Sequence, residues 1–168
     1  QFSEAVMGFS LTDIIVTGGT ASSFVVVDAG TYTFSVTSPN SSATVNIEEG
    51  VAIDVVGNYN TASNSLSLVF NLAPTNLMLS NTSISENNSI GQLIGNLSTT
   101  DADVSDTHTY SLVSRIGADD NSSFTVVGNK LQAAEIFDFE IKTTYNIRIK
   151  TDDGRGGTSE KQFTISIT

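Results

Sequence analysis

The run Tyr145-Asn146-Ile147-Arg148-Ile149-Lys150 alternates apolar and polar side chains and passes directly into Thr151-Asp152-Asp153-Gly154. Successive side chains of an extended chain point to opposite faces, so this pattern predicts a β-strand with one face in a core. The strand ends in carboxylates ahead of a glycine-rich turn. A second stretch, Thr100-Asp101-Ala102-Asp103, sets two carboxylates two residues apart, and on extended backbone both point to the same side. Oxygen ligands gathered in a chain with no cysteine and a single histidine suit a hard cation, above all calcium. The competing reading is that these acids are solvated turn formers at strand ends.

Working outward, nearly every periodic segment has period two, and nothing carries a sustained helical stripe. Strand-like runs in the first part are Asp13–Val16, Phe24–Val27, Tyr32–Val36, Thr44–Ile47, Val51–Val56 and Leu66–Phe70. They are punctuated by Gly18-Gly19, Ala29-Gly30, Pro39-Asn40 and Gly57-Asn58. After Pro74 come Leu77–Leu79, Gln92–Leu97, Thr109–Val113, Phe124–Val127, Leu131–Ala133, Tyr145–Ile149 and Phe163–Ile167. Gly128-Asn129 has the residues of a two-residue hairpin turn, where positive φ is needed. Many short strands at close spacing predict an all-β chain of two tandem antiparallel β-sandwiches. The pattern resets at Asn71-Leu72-Ala73-Pro74, and proline interrupts strand pairing there. The expected domains are therefore residues 1–73 and 74–168.

Composition narrows the function. At 168 residues the chain has room for two small cores, and 39% of it is hydrophobic. A formal charge of −11 excludes nucleic acid as a partner, because phosphate binding is driven by basic surface. No run reaches the length of a membrane span, and the first residues lack a signal-peptide pattern, which predicts an internal piece of a longer protein. His108 has no neighbours in sequence that would make it catalytic or a zinc ligand. No nucleophile–base pair, matched acid/base carboxylates or phosphate loop is present, so the chain is not expected to be an enzyme. The sequons at Asn40, Asn81, Asn87, Asn96 and Asn121 are expected by chance in a chain this rich in Asn, Ser and Thr. Asp119-Asp120-Asn121 reads as a polar turn.

In the first segment, Phe2-Ser3-Glu4-Ala5-Val6, Phe9–Ile14, Val16–Gly19, Thr31–Val36 and Gly50–Thr61 follow one another in an order that resembles a bacterial immunoglobulin-like repeat of large surface adhesins. In such repeats the Phe-Ser-Glu-Ala text follows an opening strand and most of a second, so residues 1–73 are expected to form an immunoglobulin-like domain lacking its opening strands. The resemblance also sets the hairpin of Asp54, Asn58 and Asn60, with Glu4 near it, at the N-terminal end as a further candidate calcium site. The alternative there is a turn built from residues that tolerate positive φ.

Within residues 74–168, the succession Ile84–Asn87, Gly91–Leu97, Thr100–Asp103, Thr107–Leu112, Phe124–Val126, Gly128–Leu131, Phe137–Glu140, Tyr145–Ile147 and Thr151–Gly154 resembles a bacterial cadherin-like repeat. This likeness implies a junction calcium held by Asp101, Asp103 and Asp153, with Asn71 or a linker carbonyl and Asp152. It implies a distal half-site of Glu86, Asp138 and Glu140, for which ion pairing is the alternative and Lys142 the nearest base. Only Asn71 remains of the acidic linker common in vertebrate cadherins, which favours one ion over a cluster.

The implied function is a calcium-stiffened extender and adhesion module of a large secreted or surface-anchored bacterial adhesin. Its partners would be neighbouring repeats of the same polypeptide, with cell-surface or polysaccharide ligands beyond them. Two other readings stand beside it. One is a carbohydrate-binding module of a polysaccharide-degrading system, which the absence of Trp disfavours. The other is a filament subunit that forms homo-oligomers by strand exchange.

Overall fold

The structure is a computed structural model that describes all residues 1–168. The chain is all-β and forms two compact units, Gln1–Phe70 and Asn71–Thr168. Asn71 to Pro74 thus cluster with the second unit.

The first unit contains β1 (Val6–Met7), β2 (Ile14–Thr17), β3 (Thr20–Val26), β4 (Tyr32–Thr37), β5 (Ser42–Ile47), β6 (Ile53–Asp54) and β7 (Leu66–Val69). They pair as a three-stranded sheet β2-β5-β7, a hairpin β3-β4 and a short pair β1-β6. Alternation places Val16, Phe34, Val36, Val45 and Leu68 toward one another; Phe2 and Tyr32 meet Phe9 edge to face, and Phe24 stacks on Tyr32. Two expected strands differ in extent. Val51–Val56 forms strand only at Ile53–Asp54, because the Asp54 carboxylate binds the Val56 and Asn58 amides and folds the chain into a turn. Asp13 ends a single 3-10 turn, Leu11–Asp13, instead of opening a strand, because its carboxylate caps Ser10.

The second unit contains β8 (Asn76–Leu79), β9 (Ser83–Ile84), β10 (Leu93–Thr100), β11 (Thr109–Leu112), β12 (Phe124–Val127), β13 (Lys130–Ala133), β14 (Thr144–Asp152) and β15 (Thr158–Ile167). Two four-stranded sheets, β12-β13-β10-β8 and β11-β14-β15-β9, enclose one core. All pairings are antiparallel except β9 with β15. Gly128, at φ 60°, makes the two-residue hairpin between β12 and β13. β14 alternates buried and part-exposed residues from Tyr145 to Asp152, as its sequence pattern dictates. Leu131, Phe137, Ile147, Ile149 and Ile165 have no exposed surface. Burying each such side chain contributes about 1.5–3 kcal/mol. This rigid sandwich carries the loops that matter for function at the two ends of β14.

Candidate metal centre

The loop Asp101–His108 leaves the end of β10 and enters β11, whose first residue, Thr109, pairs with Asp152 at the end of β14. Strand pairing therefore sets this loop beside Asp153, the first residue of the β14–β15 connection. Inside the loop the Asp103 amide donates to Asp101 Oδ1 at 3.0 Å, and the Asp106 amide donates to the Asp103 carbonyl at 2.9 Å. That turn doubles the chain back so that Asp106 faces Asp101. One carboxylate oxygen each of Asp101, Asp106 and Asp153 then lies within 4.8 Å of the others.

Each member has a distinct set of partners. Asp153 is 2% exposed; its Oδ1 accepts from the Arg155 and Gly157 amides at 2.7 and 3.0 Å, and its Oδ2 accepts from Asn71 Nδ2 at 2.8 Å. Burial pushes its carboxyl pKa up, but the Arg155 amide, the Asn71 side chain and the Gly157 amide outweigh that and hold it below the usual value. Asp101 Oδ2 lies 3.0 Å from His108 Nε2. Asp106 Oδ1 pairs with Arg155 Nη1 at 3.0 Å, while its Oδ2 is buried and has no hydrogen-bond partner. Buried carboxylate oxygens are ordinarily satisfied, and leaving one unpaired is costly. A cation meeting that oxygen would remove the cost.

The sequence-level candidates thus separate. Asp101 and Asp153 come together. Asp103, buried on the same loop, stands outside the group of three, and its Oδ2 accepts the Leu72 amide at 2.7 Å. Asn71 does reach the group, through Asp153. Asp152 faces the opposite side of β14, where it binds the Gly154 amide and Lys150 Nζ, since adjacent strand residues point apart. Asp106 was not among the candidates. Its signal was a third acid in the Asp101 loop, but only the turn at Asp103–Asp106 aims it back. His108 also gains a partner, Asp101, that no motif announced.

Gly157 is part of this construction. A Cβ there would lie 2.8 Å from Ala73 Cα and would collide with Asp153 Oδ2. Gly157→Ala should therefore cost about 1–3 kcal/mol of stability and displace Asp153. Thermal melting should show the loss in the second unit. Wild-type stability in this variant would show that the loop relaxes freely around the added methyl.

At the other end of β14, Glu86, Asp138 and Glu140 also bring one oxygen each within 4.8 Å of the others. Nine strand residues separate the two clusters, a span of about 30 Å at the usual rise. Glu86 Oε2 accepts the Phe139 amide at 3.1 Å, and Asp138 Oδ1 accepts the Glu140 amide at 3.0 Å. Asp138 and Glu140 are exposed. Lys142 does not join them: it pairs with Asp120 and lies over the Tyr145 ring. The Asp119–Asn121 turn is accordingly structural, with Asp120 also accepting the Asn146 amide.

In the first unit, Glu4, Asp54, Asn58 and Asn60 line one cleft. Their polar atoms are largely spent on the turn itself. Asp54 Oδ1 accepts the Val56 and Asn58 amides and Oδ2 accepts Asn58 Nδ2, and the Asn58 contacts lead in holding its pKa low. Asn60 Oδ1 accepts the Val51 and Ala52 amides. Glu4 is exposed and belongs to no carboxylate group. Asp54, Asn58 and Asn60 clamp the β6 hairpin, and Glu4 takes no part in it.

The chain is all-β, and each of its two units is built of short, mostly antiparallel strands joined by strand-end loops. Residues 1–70 match the model of the bacterial Ig-like domain family. No curated protein matches the chain. Among solved structures, the chain is similar to protocadherin gamma B2 extracellular cadherin domains 3–6 at 18% identity and TM-score 0.43, covering 92% of this chain and 40% of that one. Chicken VE-cadherin EC1-2 is similar at 18% identity and TM-score 0.48, over 94% of this chain and 85% of that one. Drosophila N-cadherin EC1-4 is similar at 16% identity and TM-score 0.49, over 92% and 41%. The chain thus spans about two fifths of the protocadherin gamma B2 structure. No helix of the chain is long and apolar enough to cross a membrane.

Proposed function

We propose that this chain is an extracellular extender and adhesion module of a large bacterial surface protein, stiffened by calcium at Asp101, Asp106 and Asp153. The observation that carries this reading is the buried, unpartnered Asp106 Oδ2 within a group of three carboxylates. The donors fit the ion: they are carboxylate oxygens, two from the Asp101–His108 loop and one from the β14–β15 connection, and calcium is bound by such oxygens. Calcium would neutralise the mutual repulsion of the three carboxylates. Asn71, now donating its amide to Asp153, would present its side-chain oxygen after a flip about its last torsion, and Asp103 would hold the entering chain through the Leu72 amide. Residues 71 and 72 are the ones by which the polypeptide enters the second unit, so fixing them limits the freedom of the connection to residues before them. Glu86, Asp138 and Glu140 would take a weaker second ion at the opposite pole. The partners are neighbouring repeats of the same polypeptide, and the role is mechanical, with no reaction to catalyse.

Extracellular modules bind calcium with dissociation constants of about 10⁻⁴–10⁻³ M. At roughly 10 mM free calcium, the folded form should gain about 1.4–2.7 kcal/mol. That is modest for a fold, yet comparable to the few kcal/mol that separate conformers of a hinge. Calcium titration of the full chain should raise the melting temperature and narrow the distance distribution from small-angle scattering, and magnesium should do much less. Chelation that leaves both melting and shape unchanged would reduce the acidic group to ordinary solvated turns.

A further inference from the structure

Resting on the calcium reading above, we infer that Arg155 is the tethered counter-ion of the Asp101, Asp106 and Asp153 group, which calcium displaces and a monovalent cation does not. The side chains of Asp101 and Asp106 are 3% and 4% exposed, and Asp153 is 2% exposed. Three carboxylates so withdrawn from water repel one another far more than they would in it. Arg155 Nη1 answers that repulsion from the rim, 3.0 Å from Asp106 Oδ1, with its side chain half exposed. The bond to Asp106 leads in raising the arginine pKa, and the charges of Asp106, Asp103 and Asp153 add to it. His108 pairs with Asp101. No lysine or other arginine joins the group: Lys150 goes to Asp152, and Lys142 to Asp120.

The loop lets the charge leave while the backbone stays. The Arg155 amide is bound to Asp153 Oδ1 at 2.7 Å, and the Asp153 amide donates to the Gly157 carbonyl at 3.1 Å. Gly154 and Gly156 flank Arg155 at φ 76° and 105°, and a Cβ on either would meet nothing within 4 Å. The backbone is thus pinned, and the side chain has open space to swing into. A half-exposed ion pair is weak, so breaking it costs little. Charge then decides what displaces it. A sodium ion in place of the guanidinium would leave the net charge of the three carboxylates where it was, and would have to shed water to enter. Calcium brings one positive charge more, and it repels the guanidinium at close range. Without Arg155 the group would be open to either ion.

Calorimetric titration of the full chain with calcium would compare wild type, Arg155→Gln and Arg155→Lys in sodium chloride and in choline chloride at equal ionic strength. Choline is too large to enter the group, so the two salts differ only in whether the monovalent ion competes. Wild type should bind calcium equally in both. Arg155→Gln should bind about threefold more tightly than wild type, or better, in choline chloride. It should lose most of that gain in sodium chloride. Arg155→Lys keeps the charge and should behave as wild type. Both substitutions fall at an exposed loop position, and a gain of affinity cannot come from damage to the fold. If Arg155→Gln binds calcium no more tightly than wild type, or gains equally in both salts, the inference is overturned while the calcium reading stands. If wild type binds no calcium in either salt, the calcium reading fails and the inference falls with it.

Discussion

Asp106→Asn should abolish most of the calcium response while leaving the calcium-free protein no less stable. The two effects have separate causes. Without the ion, Asp106 Oδ2 is a buried anionic oxygen with no partner, close to the carboxylates of Asp101 and Asp153. Replacing it by an amide removes one buried charge and the repulsion it feels. The ion pair given up involves Arg155, whose side chain is 49% exposed, so it contributes little. With the ion, one of three anionic ligands is lost, and affinity should fall at least about tenfold, or about 1.4 kcal/mol. Calorimetric titration alongside thermal melting would separate the two terms. An Asp106→Asn protein that melts several degrees lower in chelator, yet binds calcium normally, would make Asp106 a structural residue and remove it from the site. His108→Ala, next to Asp101, serves as the companion variant. It should leave calcium stabilisation in place, because imidazole is not needed by an oxygen-seeking ion.

Phe137→Ala should have the largest effect on stability of any alanine truncation among the wholly buried side chains of the second unit. Its ring is wholly buried, with centroids 4.8 Å from Tyr145 and 5.3 Å from Phe124. Truncation removes apolar burial and leaves a cavity between two sheets whose strands are fixed by their ladders, which costs about 3–5 kcal/mol. The backbone there is held too: the Phe137 amide donates to Asn88 Oδ1 at 2.8 Å, and Asn88 Nδ2 reaches the Glu135 carbonyl. Relaxation into the void is thereby restricted, and the distal acids Asp138 and Glu140, next in sequence, would loosen with it. Urea unfolding should show the loss as a lower midpoint at unchanged slope. A loss below about 1 kcal/mol would mean that the sheets close over the gap.

How far the sequence leads can be seen by following single residues. Alternation from Tyr145 to Lys150 determines β14 because a strand's side-chain period is two, whatever surrounds it. It also determines that Thr151 and Asp153 share the inward face while Asp152 faces out, so Asp152's absence from the acidic group was implicit in the same pattern. The all-β class and the Gly128-Asn129 turn follow from equally local rules, since φ preferences and pleat belong to each residue. Asp106 belongs to another category. Its place beside Asp101 and Asp153 depends on one turn of a loop, on the pairing of Thr109 with Asp152, and on the return of β15 behind them. None of these is a property of neighbours in sequence. The same holds for Asp103, which serves the Leu72 amide, and for Lys142, which crosses to Asp120 and leaves Glu140 alone. In the first unit, the period-two runs at Tyr32–Val36 and Leu66–Phe70 mark inward faces without saying what covers them. That β4 pairs with β3 and β7 with β5 was decided by which strands found partners, a long-range choice made only when the sheets assemble.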